Sequence, residues 1–509
     1  MANIIGETAR KFFTPEALRS AAKQSTGCLV VPVRLRRAIK RYLREREEPH
    51  MKRKVLRLSQ SLSEIKEANL MLTEATAKEL VENPLKSSRD TSKRWKIKTA
   101  YGDIGLRYTD DETVAYVASR MPAVFSACYR VLSEVGRRLP DFSPTKVMDF
   151  GAGTGSAFWA MREVWPKSVE KVNLVEPSQS MRRAGQSLIQ GMKDLPLIHS
   201  FDSIQALSKI VKKTEREHDL VIASYVLGEI PSLKDRITVV RQLWNLTRDV
   251  LVLIEPGTPH GSKIITQMRS HILWMEKRKC QKSKQQSDET CKDLVSVKSG
   301  AFIVAPCSHC GSCTLEKSGK YCHFVQRLQR TLSQRTYKCS MGEPLRGYED
   351  EKFSYVVIRR GQRPRESWPL DGMNLETLKE QHAKRNPKDL EIDLEDLINE
   401  HQNEVVPCEE AGLVNYNSDL VETDTSDDND EVEGEEEQGD LGRADLGGGW
   451  GRILFMPVRR GKHVTLDVCR SINRDASEGA FERIVVTRSK NPELHRQARK
   501  SLGSDLWPF

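Results

Sequence analysis

A short apolar strand that runs into three glycines at alternate positions is the most constraining feature of this 509-residue chain. Residues 146–150 (Lys-Val-Met-Asp-Phe) precede Gly151, Gly153 and Gly155, and Ser156 then opens a stretch of helical character. Glycine has no Cβ, so such a turn brings backbone N–H groups close to a ligand. The dinucleotide fingerprint requires a glycine where this chain has Ser156. By itself the loop indicates either a structural turn or a nucleotide-type site.

Three further apolar runs indicate that this loop belongs to a parallel sheet. Residues 172–176, 219–224 and 250–257 are short and nearly continuous in apolar side chains, as buried parallel strands are. They follow the first strand at helix-length spacing, which is typical of a doubly wound sheet. We therefore predict an α/β fold with a ligand site at the glycine loop.

The pattern G-x-G-x-G after an acidic residue, Asp149, resembles motif I of the class I S-adenosylmethionine-dependent methyltransferases. The resemblance implies a Rossmann-type sheet with the cofactor beside Gly151, Gly153 and Gly155. It also implies that Glu176, at the end of the second strand, holds the two ribose hydroxyls. These five residues are the predicted cofactor-binding set.

The charge of the chain is unevenly distributed. The net charge is +10, yet residues 389–440 contain 21 Asp and Glu and no Lys or Arg, which leaves +31 on the remainder. Such a body either binds a polyanion, with nucleic acid as the first candidate, or has a solvated basic surface. No run of about 18 apolar residues occurs, so no membrane-spanning helix is predicted.

Composition divides the chain into five segments. They are a basic, amphipathic transit peptide (1–25), a helical region (26–143), the strand–helix domain (144–365), a largely disordered acidic linker (366–449) and a C-terminal β-hairpin with a basic tail (450–509). Within the third segment, residues 276–299 are charged and rich in Ser and Gln, which predicts a mobile insertion.

Four of the eleven cysteines crowd into one short segment, at Cys307, Cys310, Cys313 and Cys322. In a reducing compartment such a crowd indicates a metal centre rather than a disulfide scaffold. Thiolates at this spacing hold either Zn²⁺ or an iron–sulfur cluster, and the spacing does not separate the two. Buried, unliganded thiols are the remaining alternative.

The same segment is similar to the signature of a known family. Residues 305–313 (Ala-Pro-Cys-Ser-His-Cys-Gly-Ser-Cys) and 321–327 (Tyr-Cys-His-Phe-Val-Gln-Arg) carry the likeness, together with residues 255–261 and 461–469. They resemble the mitochondrial small-ribosomal-subunit methyltransferase-like assembly factors, which have fungal, plant and bacterial relatives.

The resemblance implies a [4Fe–4S] cluster held by two cysteines six residues apart, a third shortly after and a fourth far downstream. In this chain these are Cys307, Cys313, Cys322 and Cys469. Cys310 departs from the family pattern and is an alternative ligand, and zinc is the alternative metal. The implied architecture is a methyltransferase-like domain with an inserted cysteine loop, an N-terminal helical region and a small C-terminal β extension.

Three functions agree with these features. The resemblance implies an assembly factor of the mitochondrial matrix that binds rRNA and ribosomal proteins of the small subunit, with or without catalysis. The others are an active S-adenosylmethionine-dependent rRNA methyltransferase and a zinc-stabilised RNA-binding module. No catalytic residue is identified. The Pro-Pro-Tyr type motif with which amino-group methyltransferases accept the amine is missing after the fourth strand. The nucleophilic cysteine that carbon-5 RNA methyltransferases need is also missing, because no cysteine lies between Cys128 and Cys280. Tyr225 and Glu229 are the polar residues there, and we interpret Tyr225 as a packing residue.

Overall fold

The computed structural model describes residues 22–24, 27–46, 50–59, 108–230, 232–286, 300–316, 319–338, 346–363, 450–472, 476–490 and 492–507. The predicted acidic linker and all but residues 22–24 of the predicted transit peptide lie outside these ranges. Within them, no helix is both long and apolar enough to cross a membrane.

The main sheet contains nine of the described strands. They are β1 (Cys28–Leu29), β2 (Lys146–Phe150), β3 (Lys171–Val175), β4 (Leu197–Phe201), β5 (His218–Ser224), β6 (Thr247–Pro256), β7 (Ala301–Ala305), β8 (Phe324–Gln329) and β9 (Tyr348–Arg360). Strands β2 to β6 are parallel, in the order β4-β3-β2-β5-β6. The order reverses between β2 and β5, which creates the crevice where doubly wound sheets bind ligands. This arrangement confirms the predicted class I methyltransferase-like fold.

Strand β9 is antiparallel to β6 and extends the sheet beyond its parallel part. On its other edge β9 pairs with β7 through one half of its length and with β8 through the other half. The cysteine segment connects β7 to β8, so it leaves and re-enters the sheet along the same edge. Strand β1 pairs with β8.

The described helices are α1 (Val33–Arg44), α2 (Asp110–Ser119), α3 (Met121–Arg138), α4 (Ser156–Val164), α5 (Gln179–Ile189), α6 (Ile204–Ile210), α7 (Leu233–Leu246), α8 (Pro259–Gln286), α9 (Leu332–Tyr337) and α10 (Pro492–Lys500), with a further helical segment at 51–59. Helices α1 to α5 share one apolar core, and α6 to α8 form the other core on the opposite face. In β2, Val147 belongs to the first core and Met148 to the second. Both faces of the sheet are therefore buried, which explains the continuous apolar runs.

A second, five-stranded sheet lies at the C-terminal end. It consists of β10 (Gly451–Ile453), β11 (Val458–Arg460), β12 (His463–Ser471), β13 (Gly479–Thr487) and β14 (Leu506–Trp507). Strand β12 is its centre, because it is antiparallel to β13 on one edge and to β10 and β11 on the other. In this register Cys469 lies opposite Arg452.

The structure differs from the predicted mobile insertion at 276–299. Residues 276–286 continue helix α8. Glu276 is buried and accepts a hydrogen bond from the indole N–H of Trp244 (2.9 Å), so the charged sequence is anchored on α7. Residues 287–299 lie outside the described part of the chain.

Candidate functional site

The glycine loop leaves β2 at the point where the strand order reverses. The backbone N–H groups of Gly151 and Ala152 both donate to the Val175 carbonyl, at 2.8 and 3.2 Å, which holds the loop against the end of β3. The φ angles of Gly151, Gly153 and Gly155 are 69°, 54° and 87°, in the region that favours glycine. A Cβ on Gly151 would lie 2.6 Å from a Val226 methyl carbon.

Gly153 differs from Gly151 in its surroundings. A Cβ there would meet only the Gly151 carbonyl oxygen, at 4.0 Å. Glycine at 153 therefore borders open space at the carboxyl edge of the sheet. Filling that space with a side chain would obstruct a ligand without disturbing the packed core.

Two acidic residues of the predicted cofactor set, Glu176 and Asp149, lie at the carboxyl edge of the sheet. The Glu176 carboxylate accepts hydrogen bonds from the N–H groups of Gly153 and Ser178, both at 2.8 Å, so it connects the glycine loop to the start of α5. Asp149 is buried, and neither of its carboxylate oxygens has a hydrogen-bond partner among the described residues. Burial, followed by the negative charge of Glu176, raises the pKa of Asp149 to about 7.

Two further carboxylates lie at the same edge. Glu255 is the penultimate residue of β6 and accepts from the N–H groups of Leu227 and Gly228, at 2.8 and 3.1 Å. Glu229 accepts from the Tyr108 hydroxyl at 2.9 Å. Burial raises the pKa of Glu229 to about 8 and that of Glu255 to about 7.

The predicted cofactor set did not include Glu255 or Tyr108. Glu255 ends an apolar run, as Glu176 does, and that position is a signal in the sequence. Tyr108 precedes α2 and reaches the site only through the tertiary fold, where its carbonyl accepts from the Ser178 hydroxyl (3.0 Å). The carboxylates of Asp149 and Glu176 beside the glycine loop fit a ligand that carries positive charge and hydroxyl donors, as the sulfonium, ammonium and ribose groups of S-adenosylmethionine do.

The Tyr225 side chain is fixed by its contacts with Glu351 and Arg120. Its φ is 57°, and its hydroxyl donates to Glu351 at 2.7 Å. The Arg120 guanidinium donates to both oxygens of Glu351, at 2.7 and 2.8 Å, and lies over the Tyr225 ring. This agrees with our interpretation of Tyr225 as a packing residue.

The four cysteines predicted as ligands line one small cavity. Cys307, Cys313 and Cys322 come from the loop between β7 and β8, and Cys469 comes from β12 of the second sheet. The Cys469 thiol donates a hydrogen bond to the Cys307 sulfur, which lowers the pKa of Cys307 despite its burial. Burial raises the pKa of Cys313 and Cys322.

Cys310 does not line this cavity. Its N–H donates to the Ala476 carbonyl (2.7 Å), and its sulfur lies 3.9 Å from a guanidinium nitrogen of Arg363. His309 lies closer to the predicted ligands, with Nε2 3.3 Å from the Cys469 sulfur. Among the described residues, no group of three or more His, Cys, Asp or Glu is placed so that it could hold a single metal ion.

Arg452 joins the cavity to the main domain. Its side chain is fully buried, lines the cavity and forms an ion pair with Glu134 of α3. Its Nε donates to the Pro306 carbonyl (3.1 Å) and a terminal nitrogen donates to the Ser504 carbonyl (2.7 Å). Burial alone would raise the pKa of Glu134, but the charges of Arg452 and Arg130 hold it well below its ordinary value. The second sheet is thus fixed to the main domain beside the cysteines.

Comparison with known proteins shows which proteins this chain is similar to. The chain is 31% identical over 301 residues to the "Ribosome assembly protein METTL17, mitochondrial" of Homo sapiens, covering 57% of this chain and 60% of that protein. It is 23% identical over 467 residues to the "Ribosome assembly protein RSM22, mitochondrial" of Saccharomyces cerevisiae, covering 78% and 67%. Among solved structures, a putative RNA methyltransferase of Pyrococcus horikoshii has 13% identity and a TM-score of 0.27, covering 46% and 83%.

The family comparison covers more than half of the chain. The chain spans 60% of the human relative's length. Residues 110–371, which contain the glycine loop and the cysteine loop, match the family described as "Mitochondrial small ribosomal subunit Rsm22". This confirms the family resemblance derived from the cysteine signature. The chain belongs to the mitochondrial small ribosomal subunit Rsm22 family.

Proposed function

We propose that this chain is an assembly factor of the mitochondrial small ribosomal subunit that acts in the matrix. It binds small-subunit rRNA through its basic body, and it holds S-adenosylmethionine at the glycine loop and a [4Fe–4S] cluster at the cysteine cavity. Family membership carries this proposal, and its two named relatives are mitochondrial ribosome assembly proteins. The charge of +31 outside residues 389–440 supports a polyanionic partner.

The glycine loop supports the cofactor assignment through its own residues. Glu176 would receive the ribose hydroxyls, since each of its oxygens accepts only one protein N–H. The partnerless carboxylate of Asp149 would attract the positive charge of the ligand. S-adenosylmethionine supplies an activated methyl group when bound. Tyr225, however, is fixed by Glu351, so it is not available to accept a proton from a substrate.

The cavity supports a cluster through its donor set. Cys307, Cys313, Cys322 and Cys469 are four thiols, the number that a [4Fe–4S] cluster requires. Four thiolates also bind a tetrahedral zinc ion, which is the alternative metal for this site. A bound cluster would join the loop between β7 and β8 to β12, so its binding free energy would add to the stability of the second sheet.

Sedimentation of the tagged full-length chain tests the assembly role. In extracts of its own organism, we expect it to travel with small-subunit precursors and to be absent from translating ribosomes. Recovery only at the top of the gradient would overturn the proposal. If the chain does travel with the precursors, a density map of the particle would identify the rRNA segment that it contacts.

An active rRNA methyltransferase is the second candidate. Glu229 favours it, because a carboxyl with a pKa of about 8 lies at the cofactor edge and is suited to proton transfer near neutral pH. Transfer of a labelled methyl group to small-subunit rRNA, lost in Glu229→Gln, would establish this candidate. Binding of the cofactor without transfer would favour the non-catalytic role.

A further inference from the structure

A pair of basic helices forms a strongly charged surface of the described structure. This basic helix pair consists of α1 and the helical segment 51–59. Residues 33–59 contain eleven Lys and Arg and three Glu. Arg36, Arg37 and Arg44 on α1 are exposed, as are Arg53 and Arg57 on the second helix.

The apolar face of the pair is already occupied. Leu35, Ile39 and Tyr42 of α1 are buried in the same core as Met51 and Val55 of the second helix. A basic amphipathic helix binds a membrane by inserting its apolar face. That face is not available here, which argues against insertion of the pair into a membrane.

The arginines of α1 repel one another in the free protein. Arg37 and Arg41 are four residues apart, and like charges at this spacing destabilise a helix. The first turn of α1 contains no acidic residue. Phosphate groups along a nucleic acid strand would relieve this repulsion, and each contact would release condensed counterions.

The second sheet is basic in a different way. Two of its arginines pair with acids, in Arg483–Asp467 (2.7 Å) and Arg470–Glu482 (3.1 Å). Neutralised pairs contribute little to phosphate binding. In the helix pair, in contrast, Arg36, Arg37 and Arg44 are all exposed.

The pair also lies beside the glycine-loop site. Lys54 of the second helix forms an ion pair with Asp111 at the start of α2 (3.0 Å). Two residues before α2, the Tyr108 carbonyl accepts from Ser178, which caps α5 two residues after Glu176. At the other end, Arg41 of α1 donates to the Ser187 and Gln190 carbonyls at the end of α5 (3.1 and 2.8 Å). The pair thus follows α5 towards the carboxyl edge of the sheet.

We propose that the basic helix pair is a docking surface for the phosphodiester backbone of RNA, with the strand leading to the mouth of the glycine-loop site. This inference rests on the proposed rRNA binding and assigns it to a surface. Backbone contacts carry no sequence information, so the surface positions the RNA and leaves recognition of bases to other residues.

The test compares two triple variants of the full chain with equal loss of charge. The first is Arg36→Gln, Arg37→Gln, Arg44→Gln on the helix pair. The second is the matched control Arg460→Gln, Lys462→Gln, Lys490→Gln, all exposed on the second sheet. Binding to a labelled single-stranded RNA is measured by fluorescence anisotropy over a range of salt concentrations.

Each phosphate contact contributes a slope of about −0.7 to log K against log salt for single strands. Losing three contacts should therefore reduce the slope by about 2 and weaken binding about a hundredfold at 0.1 M salt. The control should stay within a few fold of the wild type. A charge-preserving Arg36→Lys, Arg37→Lys, Arg44→Lys variant should bind as the wild type does, which separates loss of charge from loss of fold.

The outcomes distinguish failure of the proposed RNA binding from failure of the docking surface. If the wild type shows no salt-dependent binding to RNA, the proposed function fails. If the wild type binds steeply but the helix variant binds equally well, or the control loses as much, the docking surface is refuted while rRNA binding stands. In that case an acidic protein becomes the partner to seek for the helix pair.

Discussion

Gly153→Val is the sharpest test of the cofactor site, because the structure separates its steric effect from its effect on folding. The φ of Gly153 is 54°, so any side chain there costs about 1–2 kcal/mol of backbone strain. Its Cβ meets no atom closer than 4.0 Å, so no core packing is lost. Gly151 is unsuitable for this test, since its Cβ would lie 2.6 Å from Val226.

Gly461 provides a matched control. It has a φ of 48°, no atom within 4 Å of its Cβ, and a place in the turn between β11 and β12, away from the cofactor site. Gly153→Val and Gly461→Val should therefore lose similar stability, about 2–8 °C in Tm by differential scanning fluorimetry.

Only Gly153→Val should affect S-adenosylmethionine. Forcing a branched side chain into the ligand's space costs about 1–3 kcal/mol, which weakens Kd by about 5- to 140-fold. Isothermal titration calorimetry measures this directly. Unchanged affinity in Gly153→Val, or an equal loss in Gly461→Val, would refute the assignment of the glycine loop as the cofactor site.

Four further predictions concern the metal, the pH dependence, the domain contact and the acidic linker. In protein purified without oxygen, Cys469→Ser should abolish brown colour and the expected content of about four irons per chain, whereas Cys310→Ser should leave both intact. Affinity for S-adenosylmethionine should rise as the pH increases through about 7, the pKa of Asp149, because only its ionised form attracts a cation; Asp149→Asn should flatten this profile in calorimetry. Arg452→Met removes a fully buried ion pair and should lower the free energy of unfolding by about 3–5 kcal/mol in urea titrations. Deletion of residues 389–440 should tighten RNA binding in anisotropy assays, since their 21 acidic side chains compete with phosphate for the basic surface.

Each of these has an outcome that contradicts it. A colourless wild-type protein with one zinc would overturn the iron assignment, and full colour in Cys469→Ser would exclude that cysteine as a ligand. A pH profile that is the same in Asp149→Asn would transfer the titration to Glu255 or Glu229. Wild-type stability in Arg452→Met would contradict the predicted role of the buried ion pair. Unchanged RNA affinity after the deletion would contradict the predicted competition by the acidic residues.

Ionisation of Asp149 has opposite effects on folding stability and on ligand affinity. The folded pKa of Asp149 is raised above its ordinary value, so ionising this carboxyl costs free energy in the folded state. Its contribution to stability is therefore present below the ordinary value and is lost as the pH rises towards about 7. Bound cation should offset that loss, so the ligand should raise Tm more at pH 8 than at pH 6.

Local patterns in the sequence determined the fold class and the position of the site. Strands β2, β3, β5 and β6 were predicted as apolar runs, because a sheet covered on both faces requires apolar side chains at successive positions. The glycines at 151, 153 and 155 were also predictable, since their backbone conformation excludes most other residues. Such signals depend only on neighbouring residues and on burial.

Tertiary structure alone decided which distant residues meet. Cys469 reaches the cavity because β12 places it opposite Arg452, whose ion pair with Glu134 fixes the second sheet on α3. Cys310, three residues from Cys307, lies outside the cavity because its backbone is bonded to Ala476. The continuation of α8 through residues 276–286 likewise depended on a buried contact between Glu276 and Trp244. Neighbouring residues do not determine these contacts, because each contact depends on a partner distant in the chain.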